Sequence, residues 1–461
     1  MRVRQNSLGL ALLALLLPAA QAADTAELQA LRQQMEQLKR SYEALEKRLQ
    51  QAEATSQQAQ QVSQQAADAS QQALDAARQP APSNPENAFN PGLSLILGGT
   101  YGQLKRDPAI PPTGFAMNPN PGHTAGFSLG ESELGISANI DPQFRGVATM
   151  ALAAAGGVTV ENAYIQNSSL GNGVNLKFGR FFSGLGYLNE VHAHAWDFVD
   201  QPLVYANLWN NQMGEDGVQL KWLAPTEMFV ELGGELGRGR TFPGTDRQNR
   251  NGAGAGTVFV HIGDDIGVEH SWRAGLSLHD TKQVNAASTG VPDLLGTVGG
   301  VSNSFNGDSR TVGADLVWKY SPNGNIAERY LKVQAEYFRR TLSGQLTYNT
   351  AGAGVTDSYR NTQSGWYAQG VYQFMPHWRA GLRYDQLDPG VAQIGALNVG
   401  NVIGNYGYLP RRTSVMLDYS PSEFSRLRLQ LARHQSRQGL PDNQLFIQYI
   451  MSLGAHGAHQ Y

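Results

Sequence analysis

Residues 424–435 read FSRLRLQLARHQ, and the order of residue types in this stretch decides the fold. Leu427, Leu429 and Leu431 alternate with two arginines and a glutamine. Successive side chains of a β-strand point to opposite faces, so one face of this strand is apolar and the other is long and charged. This pattern is typical of a strand that faces lipid on one side and water on the other.

The same alternation recurs from about residue 93 onward, in segments of the length that a tilted strand needs to cross a bilayer. The predicted strands are 93–104, 125–140, 145–154, 158–167, 174–183, 214–224, 227–238, 255–263, 267–279, 309–320, 327–343, 364–374, 377–387, 411–420, 424–435 and 443–453. A soluble β-sandwich would leave the charged second face of nearly every strand unexplained. The sequence therefore predicts an all-β transmembrane barrel of about 16 antiparallel strands over residues 93–461.

The predicted connections alternate between short and long, as in outer-membrane barrels, which have short periplasmic turns and long external loops. The short turns are Asp141-Pro142, Ala224-Pro225-Thr226, Gly263-Asp264-Asp265, Ser321-Pro322-Asn323-Gly324, Met375-Pro376 and Ser420-Pro421. The long loops are 105–124, 183–213, 239–254, 280–308, 344–363 and 388–410. An even strand number brings both ends of the barrel to the periplasmic side.

Three segments precede the predicted barrel. Residues 1–22 combine basic residues, a short apolar run and an A-x-A site, which predicts a secretory signal peptide. Residues 23–79 predict a helical coiled coil in the periplasm, with a partly disordered arm as the alternative. Its predicted seam is Leu28, Leu31, Met35, Leu38, Tyr42, Leu45, Leu49 and Ala52. Residues 80–92 carry four prolines and predict an extended linker.

Composition narrows the function. The 461 residues include 35 Lys and Arg, 38 Asp and Glu, and no cysteine, so nothing predicts a nucleic-acid partner, a disulfide or a thiolate metal site. After residue 22, no stretch reaches the ~20 continuous apolar residues of a spanning helix. No catalytic constellation stands out, so we expect neither an enzyme nor a cofactor.

Charged residues on the polar faces of the strands are the main functional candidates. The predicted pore-lining basic residues are Lys177, Lys221, Arg273, Lys319, Lys332, Arg340, Arg379, Arg383, Arg426 and Arg428. The predicted pore-lining acidic residues are Glu131, Glu133, Glu231, Glu235, Glu269, Asp315, Glu336, Asp385 and Asp418. This near-balance predicts mild ion selectivity. The C-terminal arginines either guide anionic solutes, since guanidinium forks match carboxylate and phosphate, or pair with neighbouring acids.

The loop 183–213 is long, aromatic and rich in carboxylates, so we expect it to fold into the lumen and narrow the pore against the basic wall. The predicted constriction residues are Tyr187, His192, His194, Trp196, Asp197 and Asp200. His192 and His194, followed by the two aspartates, are candidate ligands of a divalent metal, although such histidines more often only form hydrogen bonds. His456 and His459 of the tail are a second candidate pair, or part of a solvated end.

Taken together, these segments resemble the superfamily of the phosphate-selective O/P-type porins. The helical arm resembles trimeric porins with a periplasmic coiled coil, and also TonB-independent siderophore-uptake barrels. The resemblance includes the motif Lys177-Phe178-Gly179-Arg180-Phe181, which has low specificity. The 184–222 segment and the tail are similar to barrels labelled TonB-dependent receptors, but residues 24–92 are too short and helical for a plug domain. The resemblance implies passive, trimeric transport and carries over no phosphate site.

Three functional hypotheses follow. The first is a porin in the outer membrane of a Gram-negative bacterium, in contact with membrane lipid, for small hydrophilic and possibly anionic solutes. The second is a receptor-like barrel for a metal ion or metal chelate, bound through His192, His194, Asp197 and Asp200. The third is an envelope-anchoring or adhesive protein led by its coiled coil.

Overall fold

The computed structural model describes Glu36, Lys39, Glu43, Lys47 and residues 91–454, apart from 109, 116, 119–121, 153–155, 247–248, 292–300 and 400–406. The chain forms two compact units, Met1–Pro85 and Glu86–Tyr461. In the first unit, the four described residues are helical and exposed. The predicted signal peptide, the seam of the predicted coiled coil, nearly all of the predicted linker and the tail histidines lie outside the described residues.

A single antiparallel sheet forms the second unit. Its strands are β1 (Gly92–Gln103), β2 (Gly126–Leu129), β3 (Glu133–Asn139), β4 (Phe144–Leu152), β5 (Val158–Asn167), β6 (Val174–Phe182), β7 (Gly214–Leu223), β8 (Phe229–Gly237), β9 (Ala255–Ile266), β10 (His270–Val291), β11 (Val301–Tyr320), β12 (Tyr330–Tyr348), β13 (Val355–Met375), β14 (Trp378–Asp388), β15 (Gln393–Ile394), β16 (Arg411–Ser422), β17 (Ser425–Gln435) and β18 (Asp442–Gly454). Because β1 pairs with β18, the sheet closes on itself. β2 and β3 are two pieces of one crossing, and β15 lies within the β14–β16 connection, so eighteen strands make sixteen crossings. The predicted sixteen-stranded antiparallel barrel is confirmed.

The predicted strand 125–140 is interrupted between β2 and β3. The amide of Gly130 donates to the carbonyl of Gly98 (2.9 Å), and the amide of Gly98 donates to the Ser132 hydroxyl (3.0 Å). A Cβ on Gly98 would lie 2.6 Å from the Glu131 carbonyl, so only glycine allows this close approach. The interruption places Glu131 between the two strand pieces.

Two predicted turns lie later in the chain than the sequence suggested. Gly263, Asp264 and Asp265 still pair with β10, and the chain turns after Ile266, where Gly267 has a φ of +65°. Likewise, β16 runs through the predicted Ser420-Pro421 turn and ends at Ser422. In both places, continued pairing with the next strand overrides the local turn signal.

Two predicted long loops are largely strand. β10–β13 contain 22, 20, 19 and 21 residues, so much of 280–308 and 344–363 belongs to extended hairpins. About ten residues suffice to cross a bilayer, so these hairpins project beyond it. Their inward faces carry a separate apolar cluster of Phe305, Leu342, Leu346 and Tyr359. Apolar side chains that face inward above the membrane are the physical reason that these segments are ordered.

The outward face of the barrel is apolar. Leu276, Leu316, Leu382 and Leu431 point outward and are exposed, as the alternation predicted. Near the short turns, aromatic rings stack in pairs, with Trp318 and Tyr320 beside His270 and the ring centroids of Trp378 and Tyr419 4.7 Å apart. An apolar band with an aromatic girdle is the outer surface that a barrel presents to lipid. Among the described residues, no helix is both long and apolar enough to cross a bilayer.

Residues 183–213, named here the inserted loop, lie inside the barrel. They contain a 3₁₀ turn (Ala193–Ala195) and the only α-helix among residues 91–454 as described, α1 (Leu203–Trp209). Another 3₁₀ turn, Pro322–Gly324, joins β11 to β12. The main apolar core of the molecule packs the inserted loop against Phe338, Tyr367 and Leu387 of the wall. The core therefore sits within the lumen.

Candidate functional site

The two ends of the inserted loop are held together by Asn189, which is fully buried. Its Nδ2 donates to the carbonyls of Ser183 (2.7 Å) and Met213 (2.8 Å), and its Oδ1 accepts from the Met213 amide (2.7 Å). Glu235 on β8 then accepts hydrogen bonds from the Ser183 hydroxyl (2.5 Å) and the Gly184 amide (2.8 Å). These bonds fix the direction in which the loop enters the barrel.

Glu336 on β12 is the central anchor of the inserted loop. Its carboxylate accepts from the amides of Tyr187 (2.9 Å) and Leu188 (3.1 Å). It also accepts from the hydroxyls of Tyr205 (2.7 Å) and Tyr367 (2.5 Å). Four donors around one buried carboxylate replace the water that it loses on burial.

Helix α1 is oriented by contacts at both ends. At its first residue, the Leu203 amide donates to Oδ1 of Asp385 (2.9 Å), which places a negative charge at the positive end of the helix. At its other end, Asn210 adopts a left-handed conformation with a φ of 50°. The side chains of α1 are buried, so the helix fills part of the lumen.

Asp197 of the inserted loop binds cationic side chains on β12 and β14. It forms ion pairs with Lys332 and with Arg379 (3.2 Å) and accepts from Gln369 (3.1 Å). Burial alone would raise the pKa of Asp197, but Lys332 and Arg379 outweigh it and hold the pKa well below its usual range. These cations therefore favour the charged form of Asp197.

Asp200 binds two arginines. Its carboxylate pairs with Arg383 (2.6 Å) and Arg412, and it accepts from Gln430 (2.9 Å). Burial would raise the pKa of Asp200, but Arg412 and Arg383 outweigh it and hold the pKa well below its usual range. Asp385 lies behind both arginines, 3.1 Å from Arg383 and 3.3 Å from Arg412. Sequence reasoning missed Arg412, although counting back in twos from Asp418 reaches it.

The inward faces of β12–β17, named here the arginine wall, are therefore covered by the inserted loop. Arg428 pairs with Asp418 (2.7 Å) and donates to the Trp196 carbonyl (2.8 Å), and Arg426 donates to the His194 carbonyl. Arg340 donates to the carbonyl of Leu208 (3.3 Å). These bonds close the expected pore at these positions, and a smaller cavity of ≈ 290 Å³ remains beside Arg412 and His434.

The opposite side of the inserted loop meets the inward faces of β3–β5, named here the histidine wall. Nδ1 of His192 lies 3.2 Å from Glu133 and 3.1 Å from Glu161, and Nδ1 of His194 lies 2.9 Å from Glu133. Burial would lower the pKa of His192, but the hydrogen bonds to Glu133 and Glu161 outweigh it and raise the pKa to about 10. Asp197 instead lies on the arginine wall, so the predicted metal set of two histidines with two aspartates is not brought together.

Sequence reasoning also missed Glu161, for a structural reason. Thr149 pairs with Asn162 and Met150 pairs with Val160, so Glu161 is the extra residue of a β-bulge. A bulge breaks the period of two and turns an extra side chain toward one face. Strict alternation puts Asn162 inward and Glu161 outward, whereas the bulge brings both to His192.

An open cavity of ≈ 920 Å³ lies between the inserted loop and the wall from β3 to β8, with contributions from β1 and β10. Its charged lining residues are Glu133, Arg145, Lys177, Glu190, Lys221, Glu231 and Arg273. Lys221 pairs with Glu190 (3.0 Å) and lies 3.7 Å from Glu231. Burial would raise the pKa of Glu190, but Lys221 and Lys177 outweigh it and lower the pKa to about 2.

Three basic side chains of this cavity have no carboxylate partner. In the part of the chain that the structure describes, Arg145, Lys177 and Arg273 form no ion pair. Lys177 instead lies 4.6 Å from the ring centroid of Tyr164, and the Arg273 guanidinium lies 5.4 Å from that of Tyr187. The cavity lining thus carries four lysine and arginine side chains against three carboxylates.

The remaining predicted lining residues differ in their surroundings. Lys319 and Asp315 point inward from β11, and the Asp315 carboxylate has no hydrogen-bond partner among the described residues. Glu269 does not line the lumen, because it lies in the β9–β10 turn and accepts from the Asn323 amide (2.9 Å). The spacing Gly126-Phe127-Ser128-Leu129-Gly130 matches a G-x-S-x-G motif but lies along a strand, without the strand–turn–helix elbow of a catalytic serine.

Comparisons with known proteins add the following. No family model matches the chain. It is 29% identical over 412 residues to an uncharacterized protein of Aquifex aeolicus (strain VF5), a match that covers 82% of this chain and 81% of that relative.

The chain is also similar to solved outer-membrane proteins. A loop L8 deletion mutant of Vibrio cholerae OmpT matches with 14% identity and a TM-score of 0.49, covering 79% of this chain and 99% of that chain. The outer-membrane channel DcaP of Acinetobacter baumannii matches with 12% identity and a TM-score of 0.45, covering 79% and 97%. An anion-selective porin from Comamonas acidovorans matches with 12% identity and a TM-score of 0.44, covering 79% and 99%. At this level of identity, the residue roles of those proteins do not transfer.

Proposed function

We propose that the chain is an outer-membrane porin, with no enzymatic activity, through which small hydrophilic solutes diffuse passively. The observation that carries this proposal is the ≈ 920 Å³ cavity inside a closed barrel with an apolar exterior. Its polar lining is suited to water and solutes, while the outward leucines are suited to lipid. We place the barrel in the outer membrane, with the predicted N-terminal arm in the periplasm.

The solute path runs along the β3–β8 side of the lumen. The inserted loop fills the other half of the lumen and narrows the opening from within. Tyr187 of the loop lies beside Arg273 across the cavity, so these two side chains mark the constriction. Solute size is then limited by the loop face that carries Tyr187 and Glu190.

Anions pass more readily than cations in this proposal. Glu133, Glu190 and Glu231, the acidic residues on the cavity, each contact a lysine or a histidine. Arg145, Lys177 and Arg273 have no acidic partner among the described residues. An excess of one sign along a narrow path sets ion preference.

Conductance measurements in planar bilayers test both the open channel and its preference for anions. We expect steady open channels and, in a potassium chloride gradient, a reversal potential on the chloride-selective side. Lys177→Gln and Arg273→Gln should each move the reversal potential toward cations, whereas Arg310→Gln, on the outer surface, should not. Closed channels would contradict the porin, and a cation-selective wild type would contradict the anion preference alone.

A homotrimer is the assembly that we propose. The wall formed by β2–β8 is the short side of the barrel, with strands of 4 to 10 residues, whereas β10–β13 have 19 to 22. A second copy would cover this short side more readily than the tall hairpins. Light scattering of the detergent-solubilised chain distinguishes a trimer from a monomer.

A further inference from the structure

A compact set of nitrogen and oxygen ligands lies on the histidine wall. Glu133 uses both of its oxygens, with Oε1 2.9 Å from Nδ1 of His194 and Oε2 3.2 Å from Nδ1 of His192. Glu161 approaches the same His192 nitrogen at 3.1 Å. Ligand atoms of Glu133, His192 and His194 all lie within 4.8 Å of one another.

Three carboxyl groups lie close together in this cluster. Oxygens of Glu131, Glu133 and Glu161 also lie within 4.8 Å of one another. Among the described residues, only His192 and His194 form ion pairs with these three carboxylates. Carboxylates this close together repel one another when ionised, and a bound cation would relieve that repulsion.

The basic side chains of this cluster are imidazoles, whereas those of the arginine wall are arginines and a lysine. The carboxylates of Asp197, Asp200 and Asp418 are matched by arginines and a lysine, and a guanidinium has no lone pair for a metal. An imidazole that gives up its proton becomes a metal ligand. Of these two walls, the histidine wall is therefore the one whose bases can lose a proton and bind a metal ion.

We propose that Glu133, Glu161, His192 and His194 form a binding site for one first-row divalent metal ion of the Zn²⁺ class, which fastens the inserted loop to β3 and β5. Two imidazoles and two carboxylates are a familiar tetrahedral ligand set for zinc. Metal–ligand bonds of about 2.0–2.2 Å separate neighbouring ligands by roughly 3.3–3.5 Å. The three histidine–carboxylate contacts of 2.9–3.2 Å need to open by only a few tenths of an ångström, and Glu161 must also turn toward His194. The ion is resident in the wall and is separate from the solutes that pass.

The surroundings support this site. The Asn162 amide lies 3.0 Å from Nε2 of His192, so the imidazole is held from behind, as ligating histidines usually are. Glu133, His192 and His194 also line the open cavity, which gives an ion a path of entry.

The test is metal titration of the full-length chain, purified in detergent without a histidine tag and stripped with chelator. Every sample carries both His456→Ala and His459→Ala, so that the tail cannot bind the probe. The chain with these two substitutions alone is the background protein. Zn²⁺ is titrated by calorimetry, and Co²⁺ binding is followed by its visible absorption, which reports tetrahedral nitrogen and oxygen ligands. We expect one ion per chain for both metals and none for Mg²⁺.

Single substitutions identify which side chains bind the ion. His192→Ala and His194→Ala should each weaken Zn²⁺ binding by at least about 100-fold, and Asn162→Ala by about 10- to 100-fold. His261→Ala is the matched control, because His261 forms an Nδ1–carboxylate pair with Glu231 at 3.0 Å but has no second histidine. Glu161→Gln, which keeps size and a polar contact to His192, should weaken binding without disturbing the fold. Heat-modifiable gel migration confirms folding of each variant.

Two results would overturn the proposal. One is absence of Zn²⁺ binding to the folded background protein. The other is Zn²⁺ binding that persists unchanged in folded His192→Ala or His194→Ala, which would place the ion elsewhere.

Discussion

The two sides of the inserted loop are held by different chemistry. On the arginine wall, Asp197 and Asp200 meet lysine and guanidinium groups that stay charged at any ordinary pH. On the histidine wall, Glu133 and Glu161 meet imidazoles, which can become metal ligands by giving up a proton, as a guanidinium cannot. The loop is thus held by ion pairs on both sides, and imidazole ligands lie on the side that faces the open path.

The largest expected effect on conductance comes from removing Asp200. Asp200→Ala leaves Arg383 and Arg412 buried with one carboxylate, Asp385, between them. Breaking a buried ion pair by removing one partner costs about 3–5 kcal/mol. We expect the loop to leave the arginine wall, with a several-fold rise in conductance and new protease cleavage within 195–209. Conductance and cleavage both unchanged would show that the charges do not hold the loop.

The largest expected effect on folding stability is at Glu336, the anchor on β12. Glu336→Ala leaves four donors without their acceptor, and each buried donor left unpaired costs about 1–3 kcal/mol. We expect a lower midpoint of denaturant unfolding and faster proteolysis near residue 187. Glu336→Gln, which keeps one acceptor oxygen, should show a smaller change. Equal behaviour of the two variants would contradict the assigned role of the carboxylate.

A pH series tests whether the ion pairs between Asp200 and the arginine wall persist at low pH. Burial would raise the pKa of Asp200, but Arg412 and Arg383 hold it well below the ordinary value near 3.8. A depressed folded-state pKa gives stability that is present above the unfolded pKa and is lost only when the pH falls through the folded pKa. Protection of 196–203 from hydrogen exchange should therefore persist, after correction for the intrinsic exchange rate, from pH 8 down to pH 4. Loss of protection near pH 5 would contradict this assignment.

The smallest expected effect lies at the end of α1. Asn210 has a φ of 50°, so Asn210→Ala should destabilise the helix end by about 1 kcal/mol, whereas Asn210→Gly should be neutral or slightly stabilising. Thermal unfolding of the two variants gives the comparison. A more stable Asn210→Ala would show that the left-handed conformation is absent.

Strand faces could be predicted from the sequence because the period of two is local. Leu427 and Leu429 point outward and Arg428 inward, as their alternation required. The height of β10–β13 was missed, because inward apolar side chains such as Phe305 and Leu346 lie in segments with loop-like composition.

The site was less predictable, since it depends on contacts that are distant in sequence. The aromatic composition of 183–213 suggested insertion into the lumen. The side on which the loop packs follows from pairs such as Tyr187 with Glu336, 149 positions apart. Glu161 escaped prediction because a bulge reverses its face, whereas Arg412 follows the period of two and could have been found from Asp418. Local periodicity carries no information about such partners.

The absence of cysteine allows a direct test of where the water path runs. Ser137→Cys lies on the cavity and Ser414→Cys lies buried on the arginine wall, so the two substitutions are isosteric and differ in position alone. A charged thiol reagent is added during conductance recording of each variant. We expect rapid labelling and a stepwise change in current for Ser137→Cys, with no response from Ser414→Cys. Rapid modification of Ser414→Cys, with Ser137→Cys silent, would contradict the account.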